Sequence, residues 1–251
     1  MIALQLYTVR DHLNTPLDVE KTLRRVREIG YDAVQFGSTS FLEPNRLREL
    51  LDENKFFVYG STTRLYEKFA DDLEEFIKLH KILGTKDICL NMPPEQRSSK
   101  EGYLKFISEV NDYSKIFAEH GIRLFYHNHN FEFVKFDGVL GMDLLIEGLN
   151  PERVDIEIDT YWVQAGGADP AQWIRKVKGR IHSVHFKDMA IDLDRKQYFA
   201  EVGEGNMNWT EIIKACRESG VEIYCVEQDF CRRDSLESVE ISFKNMKIMG
   251  L

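Results

Sequence analysis

The chain has 251 residues, of which 43% are hydrophobic and 30% charged, and a net charge of -9. This composition fits a folded globular protein and argues against disorder, fibrous repeats and a disulfide-stapled miniprotein. The acidic balance works against binding a phosphate backbone, which relies on Lys and Arg, so no nucleic-acid partner is expected.

Short apolar runs rich in β-formers fall at 2–6, 33–36, 56–59, 87–90, 122–127, 153–159, 181–186 and 222–227, and longer helical patterns separate them. The clearest helical pattern is Phe69, Leu73, Phe76, Ile77, His80 and Leu83, whose spacings of three and four put them on one face. Gly30, Gly84, Gly121 and Gly220 each follow a helical pattern and precede a strand, where a left-handed cap is wanted. Strand and helix alternating eight times predicts an α/β fold, a (β/α)8 TIM barrel, as a single domain over residues 1–251. An open doubly wound sheet would alternate in the same way. Its usual glycine-rich first turn is missing, because Tyr7-Thr8-Val9-Arg10-Asp11 follows the first strand.

Cys89, Cys216, Cys225 and Cys231 form no C-x-x-C pair and read as reduced thiols. With no secretory-type leader, and no run approaching the ~20 apolar residues that span a bilayer, the expectation is a cytoplasmic protein without a membrane partner.

A barrel builds its active site where the strands end, which gives weight to polar residues there. Strand five ends in Tyr126-His127-Asn128-His129-Asn130-Phe131-Glu132, and strand six in Ile158-Asp159-Thr160-Tyr161-Trp162. Strand seven ends in His185-Phe186-Lys187-Asp188, and strand eight in Val226-Glu227-Gln228-Asp229. Period-two alternation points Ser183, His185 and Lys187 inward while Val184 and Phe186 face the helices; it likewise points Cys225 and Glu227 inward. The same rule turns Asp155, Glu157 and Asp159 inward, and Arg123 is expected to balance them, since a buried carboxylate needs a partner.

A lone carboxylate at a strand end is most often a helix cap, and His182 reads as a packed or hydrogen-bonded histidine. Asp11-His12 is expected at the surface. Asp159, His185 and Glu227 at three adjacent strand ends form a mixed oxygen and nitrogen set that predicts one divalent metal ion, such as Mn²⁺, Mg²⁺, Co²⁺ or Zn²⁺. A fourth ligand is expected from strand five, where His127, His129 and Glu132 compete. Trp162 and Tyr161 are read either as packing residues or as an apolar wall for a sugar ring.

Several segments together carry a resemblance: Leu4-Gln5-Leu6-Tyr7-Thr8-Val9-Arg10, the stretch 126–133, Asp159-Thr160-Tyr161-Trp162 with Gly166-Gly167-Ala168-Asp169-Pro170, His185-Phe186-Lys187-Asp188, and Gly203-Glu204-Gly205. Over nearly its whole length the chain resembles the sugar phosphate isomerase/epimerase family of the xylose-isomerase-like barrel superfamily. The resemblance implies a Glu, Asp, His, Glu metal set, which carries over onto Asp159, His185 and Glu227. Epimerases of the superfamily place a Glu at the strand-five tip. This sequence has His127 there and Glu132 a few residues on, so Glu132 is expected as the ligand with His127 as its rival.

The implied activity is a metal-dependent isomerase or epimerase of a small sugar or sugar phosphate, working by proton transfer through an enediolate. Mn²⁺ is the first choice of metal. Glu227 and Glu132 would be the acid/base pair, with His127 or His129 as substitute base. Lys187, Trp162, His129, Arg10 and Gln5 would line the substrate. Loss of a β-hydroxyl or glycosyl group from the same enediolate would instead make the enzyme a lyase, of the inosose-dehydratase or keto-glycoside eliminating type. A nuclease of endonuclease IV type would need more metal ligands and a basic face, and a noncatalytic sugar-binding relative would be expected to lose a ligand. Strand three continues into Gly60-Ser61-Thr62-Thr63 where relatives often carry a His or another polar residue, and Gly203-Glu204-Gly205-Asn206 is too short to be a phosphate cradle. The substrate and the oligomeric state, a homo-oligomer included, stay open at this level.

Overall fold

In a computed structural model that describes residues 1–36, 42–63 and 73–251, eight parallel strands close into a barrel. They are β1 (Ile2–Gln5), β2 (Ala33–Phe36), β3 (Phe57–Thr63), β4 (Asp87–Leu90), β5 (Arg123–His127), β6 (Val154–Asp159), β7 (Ser183–Phe186) and β8 (Ile223–Val226). Each pairs with its neighbours in sequence, and β8 closes on β1 through Ala3 beside Cys225 and Leu4 beside Val226. All eight predicted runs become strands. The largest difference is β3, which continues to Thr63 past a register shift against Val34 and Gln35.

Local signals set the helices. Thr15 Oγ1 accepts the amide of Asp18 at 3.2 Å and Pro16 opens the helix Pro16–Ile29, which terminates at Gly30. The helix Trp209–Ser219 ends at Gly220 with φ 77°, a conformation that L side chains rarely adopt. Leu73–Leu83 is helical and buries Phe76, Ile77, His80 and Leu83, while Phe69 of the same predicted face lies outside the described residues. His80 is buried against β3, with its Nε2 2.5 Å from Ser61 Oγ and its Nδ1 2.9 Å from the carbonyl of Phe76. Burial lowers its pKa to about 4.

Two apolar layers result. The larger one lies between strands and helices and includes Val184 and Phe186, as alternation requires; the Phe186 ring meets Trp209 at 4.8 Å. The smaller one fills the barrel itself with Ala3, Ala33, Tyr59, Ile223 and Cys225. No disulfide joins the four cysteines. Among the described residues no helix is long and apolar enough to cross a membrane.

At the N-terminal end of the strands the barrel floor is an ion cluster. Arg123 reaches Asp87 at 3.1 Å and Asp155 at 3.3 Å, and His182 lies 3.3 Å from Asp155 and 3.9 Å from Asp87. Arg123 therefore balances Asp155, as expected, but it does so together with Asp87 at the floor; Glu157 and Asp159 sit higher and are balanced by other residues.

Candidate metal centre and active site

At the opposite end, the register places Asp159 beside His185 and His185 beside Cys225, with Glu227 just beyond β8. On the other side His127 stands beside Glu157. Ligand atoms of His127, Asp159, His185 and Glu227 all lie within 4.8 Å of one another, and all four residues are buried.

Short-range bonds aim each of these groups. Asp159 caps the helix Thr160–Ala165, accepting the Trp162 amide on Oδ1 at 2.9 Å, so Oδ2 is left facing the site. That oxygen lies 3.0 Å from the Lys187 ammonium and 3.7 Å from His127 Nε2. The Asn128 side chain accepts the Asp159 amide at 3.0 Å, tying the tip of β5 to β6. The Thr160 hydroxyl receives the Lys187 amide at 3.0 Å and tethers β6 to β7. His185 Nδ1 is 2.8 Å from Glu227 Oε2.

Glu132 is held elsewhere. Its carboxylate accepts the Tyr126 hydroxyl at 2.5 Å and the His129 amide at 2.9 Å, and burial pushes its pKa up to about 7 against these bonds. The tight turn Phe131–Phe133 folds it back under the strand-five loop, where it braces the turn that presents His127 and His129. The fourth group gathered with Asp159, His185 and Glu227 is therefore His127, the rival named from the sequence.

Lys187 is buried, with its ammonium 2.9 Å from Glu227, 3.0 Å from Asp159 and 3.1 Å from Asp229. Burial works against its charge, yet these carboxylates outweigh burial and hold its pKa well above the usual lysine value. For Glu227, burial pulls the opposite way and is outweighed by Lys187 and His185, which keep its pKa well below the usual carboxylate value. His129 stacks on Phe131 at 5.5 Å and meets Trp162 at 5.6 Å, and its Nδ1 is buried with no hydrogen-bond partner among the described residues. Burial, then His127 and Lys187, push its pKa well below the usual histidine value.

Trp162 faces the Lys187 ammonium at 5.5 Å, and Tyr161 stacks on Phe199 at 4.1 Å, so these aromatics serve both packing and the wall of the mouth. Phe199 comes from a hairpin that the sequence reading missed, Asp188–Ile191 paired with Gln197–Ala200. Asp188 anchors that hairpin by accepting the amides of Gly203 at 2.9 Å and Gly205 at 3.0 Å and the Trp209 indole at 2.7 Å. A side chain at Gly205 would come 2.3 Å from Asp188 Oδ1, which accounts for the glycine in Gly203-Glu204-Gly205. Arg10 is at the rim, donating to the carbonyl of Asp229 at 2.7 Å with its guanidinium over Tyr7 at 4.1 Å. Gln5 is buried deeper and bonds to Gln35.

Beneath the four grouped residues sits Glu157, fully buried. It accepts Ser183 Oγ at 2.6 Å and Gln35 Nε2 at 3.1 Å, and His185 Nε2 is 3.1 Å away. Burial would raise its pKa, but His185 and His127 outweigh burial and hold the carboxylate well below its usual value. From sequence Ser183 was placed on the inward face and Asp229 at the end of strand eight without a role for either, and Gln35 was not singled out, although it is the one polar residue of the run Ala33-Val34-Gln35-Phe36.

The donor set suits a divalent ion. It offers two imidazole nitrogens and two carboxylates, all on buried residues and with ligand atoms within 4.8 Å of one another.

Comparison with known proteins agrees on the fold. Residues 23–247 match the family model described as xylose isomerase-like TIM barrel. An inosose dehydratase of Mesomycoplasma hyopneumoniae is 24% identical over 224 residues, covering 80% of this chain and 71% of its own. A crystal structure of a sugar phosphate isomerase/epimerase from Parabacteroides distasonis superposes with a TM-score of 0.83 at 22% identity, covering 98% of this chain and 93% of that one. The IOLI protein, crystallised with a bound zinc atom, gives 0.76 at 15% identity and covers 98% and 96%.

Proposed function

Because the chain belongs to the family of xylose isomerase-like TIM barrels, we propose that it is an enzyme that removes a proton from the carbon beside the carbonyl of a small sugar-like substrate. His127, Asp159, His185 and Glu227 would hold one divalent ion, with Mn²⁺ the first choice and Zn²⁺, Co²⁺ or Mg²⁺ the alternatives. The observation that carries the reading is the convergence of their ligand atoms within 4.8 Å, all on buried residues. Such an ion, when bound, draws electron density from carbonyl and hydroxyl oxygens and so acidifies the neighbouring C–H.

The chain's own residues supply the rest. His129 Nδ1, buried with no hydrogen-bond partner among the described residues, is the base that takes the proton. Trp162 and Phe199 wall the mouth and exclude water from the resulting anion. Lys187 carries a proton on a buried ammonium and stabilises negative charge on the substrate.

We favour elimination as the outcome. The C–H electron pair becomes the new C=C bond while the β C–O bond breaks. The departing oxygen takes a proton from Lys187 and leaves as water, or as an alcohol from a glycoside. Two features support this. Among the described residues, one imidazole base and one ammonium acid flank the four grouped residues, whereas Glu132, the partner expected for a two-carboxylate exchange, is engaged by Tyr126 and His129. A relative spanning 80% of this chain is an inosose dehydratase. The second reading, isomerisation or epimerisation, rests on Glu227 as a further carboxylate in the same cluster, which could return the proton to the other face or to the neighbouring carbon.

The test is proton NMR in D₂O with a panel of ketoses, keto-inositols and 3-keto-glycosides. Deuterium entering beside the carbonyl supports proton abstraction, and an enone with released water or alcohol supports elimination over epimerisation. No exchange on any member by metal-loaded protein counts against the reading.

A further inference from the structure

The resemblance drawn from the sequence implies a carboxylate at the strand-five tip, where this chain carries His127. The grouped residues therefore bring two carboxylates and two imidazoles, one negative charge fewer than a three-carboxylate set. They also bring a problem of orientation, because each imidazole must present a bare nitrogen to the ion and keep its proton on the other one.

Glu157 lies where both needs meet. Its Oε2 is 3.1 Å from His185 Nε2, which Gln35 Oε1 also approaches at 2.8 Å, and 3.6 Å from His127 Nδ1, which makes no hydrogen bond among the described residues; these are the two ring nitrogens that face away from the grouped carboxylates. The opposite nitrogens face them: His185 Nδ1 is 2.8 Å from Glu227 and His127 Nε2 is 3.7 Å from Asp159. The two rings stand 4.5 Å apart over the one carboxylate. Glu157 cannot turn away, because Ser183 holds Oε1 at 2.6 Å and the Gln35 amide holds Oε2 at 3.1 Å.

We propose that Glu157, with Gln35 bonded to it, is a positioning residue that favours opposite tautomers of the two imidazoles, His127 protonated on Nδ1 and His185 on Nε2, and supplies negative charge from one layer below a ligand set that has only two carboxylates. Glu157 touches neither substrate nor ion in this account; it acts through the two histidines. A competing assignment is a second metal site made by Cys89, His127 and Glu157, whose ligand atoms also come within 4.8 Å. The bonds from Ser183 and Gln35 to Glu157, and the need for His127 in both sites, argue against it.

The inference rests on the metal-centre reading, and the test separates the two. The full chain is labelled with ¹⁵N at histidine and titrated with Zn²⁺, a diamagnetic probe. Long-range ¹H–¹⁵N spectra then report which ring nitrogen keeps its proton, and calorimetry reports affinity and stoichiometry. The expected result is one Zn²⁺ per chain, with His127 protonated on Nδ1 and His185 on Nε2. Glu157→Gln keeps the shape but turns an acceptor oxygen into a donor, and is expected to weaken Zn²⁺ binding roughly 10–100-fold while the far-UV spectrum stays unchanged. Wild-type protein that binds no Zn²⁺ overturns the metal reading and the inference together. One bound Zn²⁺ with the reverse tautomers, or undiminished affinity in Glu157→Gln, overturns the inference alone, as does a second ion lost with that variant.

Discussion

The two ends of the barrel both gather charge, and they balance it differently. At the floor, Asp87 and Asp155 face Arg123 and His182, two anions against two groups able to carry positive charge, with Arg123 half exposed to solvent. Toward the mouth, the four carboxyl groups of Glu157, Asp159, Glu227 and Asp229 face Lys187, His127 and His185, whose pKa burial lowers but Glu157 and Glu227 hold well above the usual histidine value. Buried carboxylates in excess of cations are costly, so the floor is balanced as built, and the surplus of carboxyl groups toward the mouth supports the cation proposed there.

The largest effect should come from the mouth. Asp159→Asn is expected to abolish both metal retention and activity, seen as loss of bound metal after dialysis and of substrate deuterium exchange. Next, His129→Gln and Lys187→Met should each lower kcat by roughly 10²–10⁴-fold while metal content is retained, which separates acid/base groups from ligands.

A third prediction uses a buried imidazole whose hydrogen-bond partners among the described residues are a hydroxyl and a carbonyl, those of Ser61 and Phe76. His182 is pushed down by burial yet ends above its usual pKa because of Asp155 and Asp87, whereas burial lowers His80 to about 4 from 6.5. Because the unfolded chain takes up the His80 proton more readily, its contribution is intact above about pH 6.5 and is lost as pH falls through about 4. The loss amounts to about 3 kcal/mol at 1.36 kcal/mol per pH unit. Denaturant midpoints measured against pH should fall more steeply in wild type than in His80→Gln. The smallest effect belongs to the floor: Arg123→Met should cost about 1 kcal/mol or less of stability, since His182 still pairs with Asp155, and leave metal binding and turnover unchanged. A large loss of activity there would erase the distinction between the two ends.

Much of this was legible in the sequence, for identifiable reasons. Strand positions followed from apolar runs punctuated by glycine, and the inward direction of His185 from period-two alternation with Val184 and Phe186 on the helix side. The position of Glu132 was not legible, because the turn Phe131–Phe133 reverses the chain and sets a sequence-adjacent carboxylate against Tyr126. The partner of Glu157 was misjudged for a related reason. Arg123 shares the inward face but lies two pleats lower than His127, and alternation gives direction without depth. Gln35 and Ser183 reach Glu157 from other strands, a contact that register reveals and spacing along one strand does not.

The most direct test of the central claim is equilibrium dialysis of the full chain against Mn²⁺ and Zn²⁺, with metal content measured per chain for wild type and for His185→Gln. One tightly held ion is expected in wild type and none in the variant. No bound ion in wild type at saturating metal, or an ion that survives His185→Gln with unchanged affinity, would contradict the central claim.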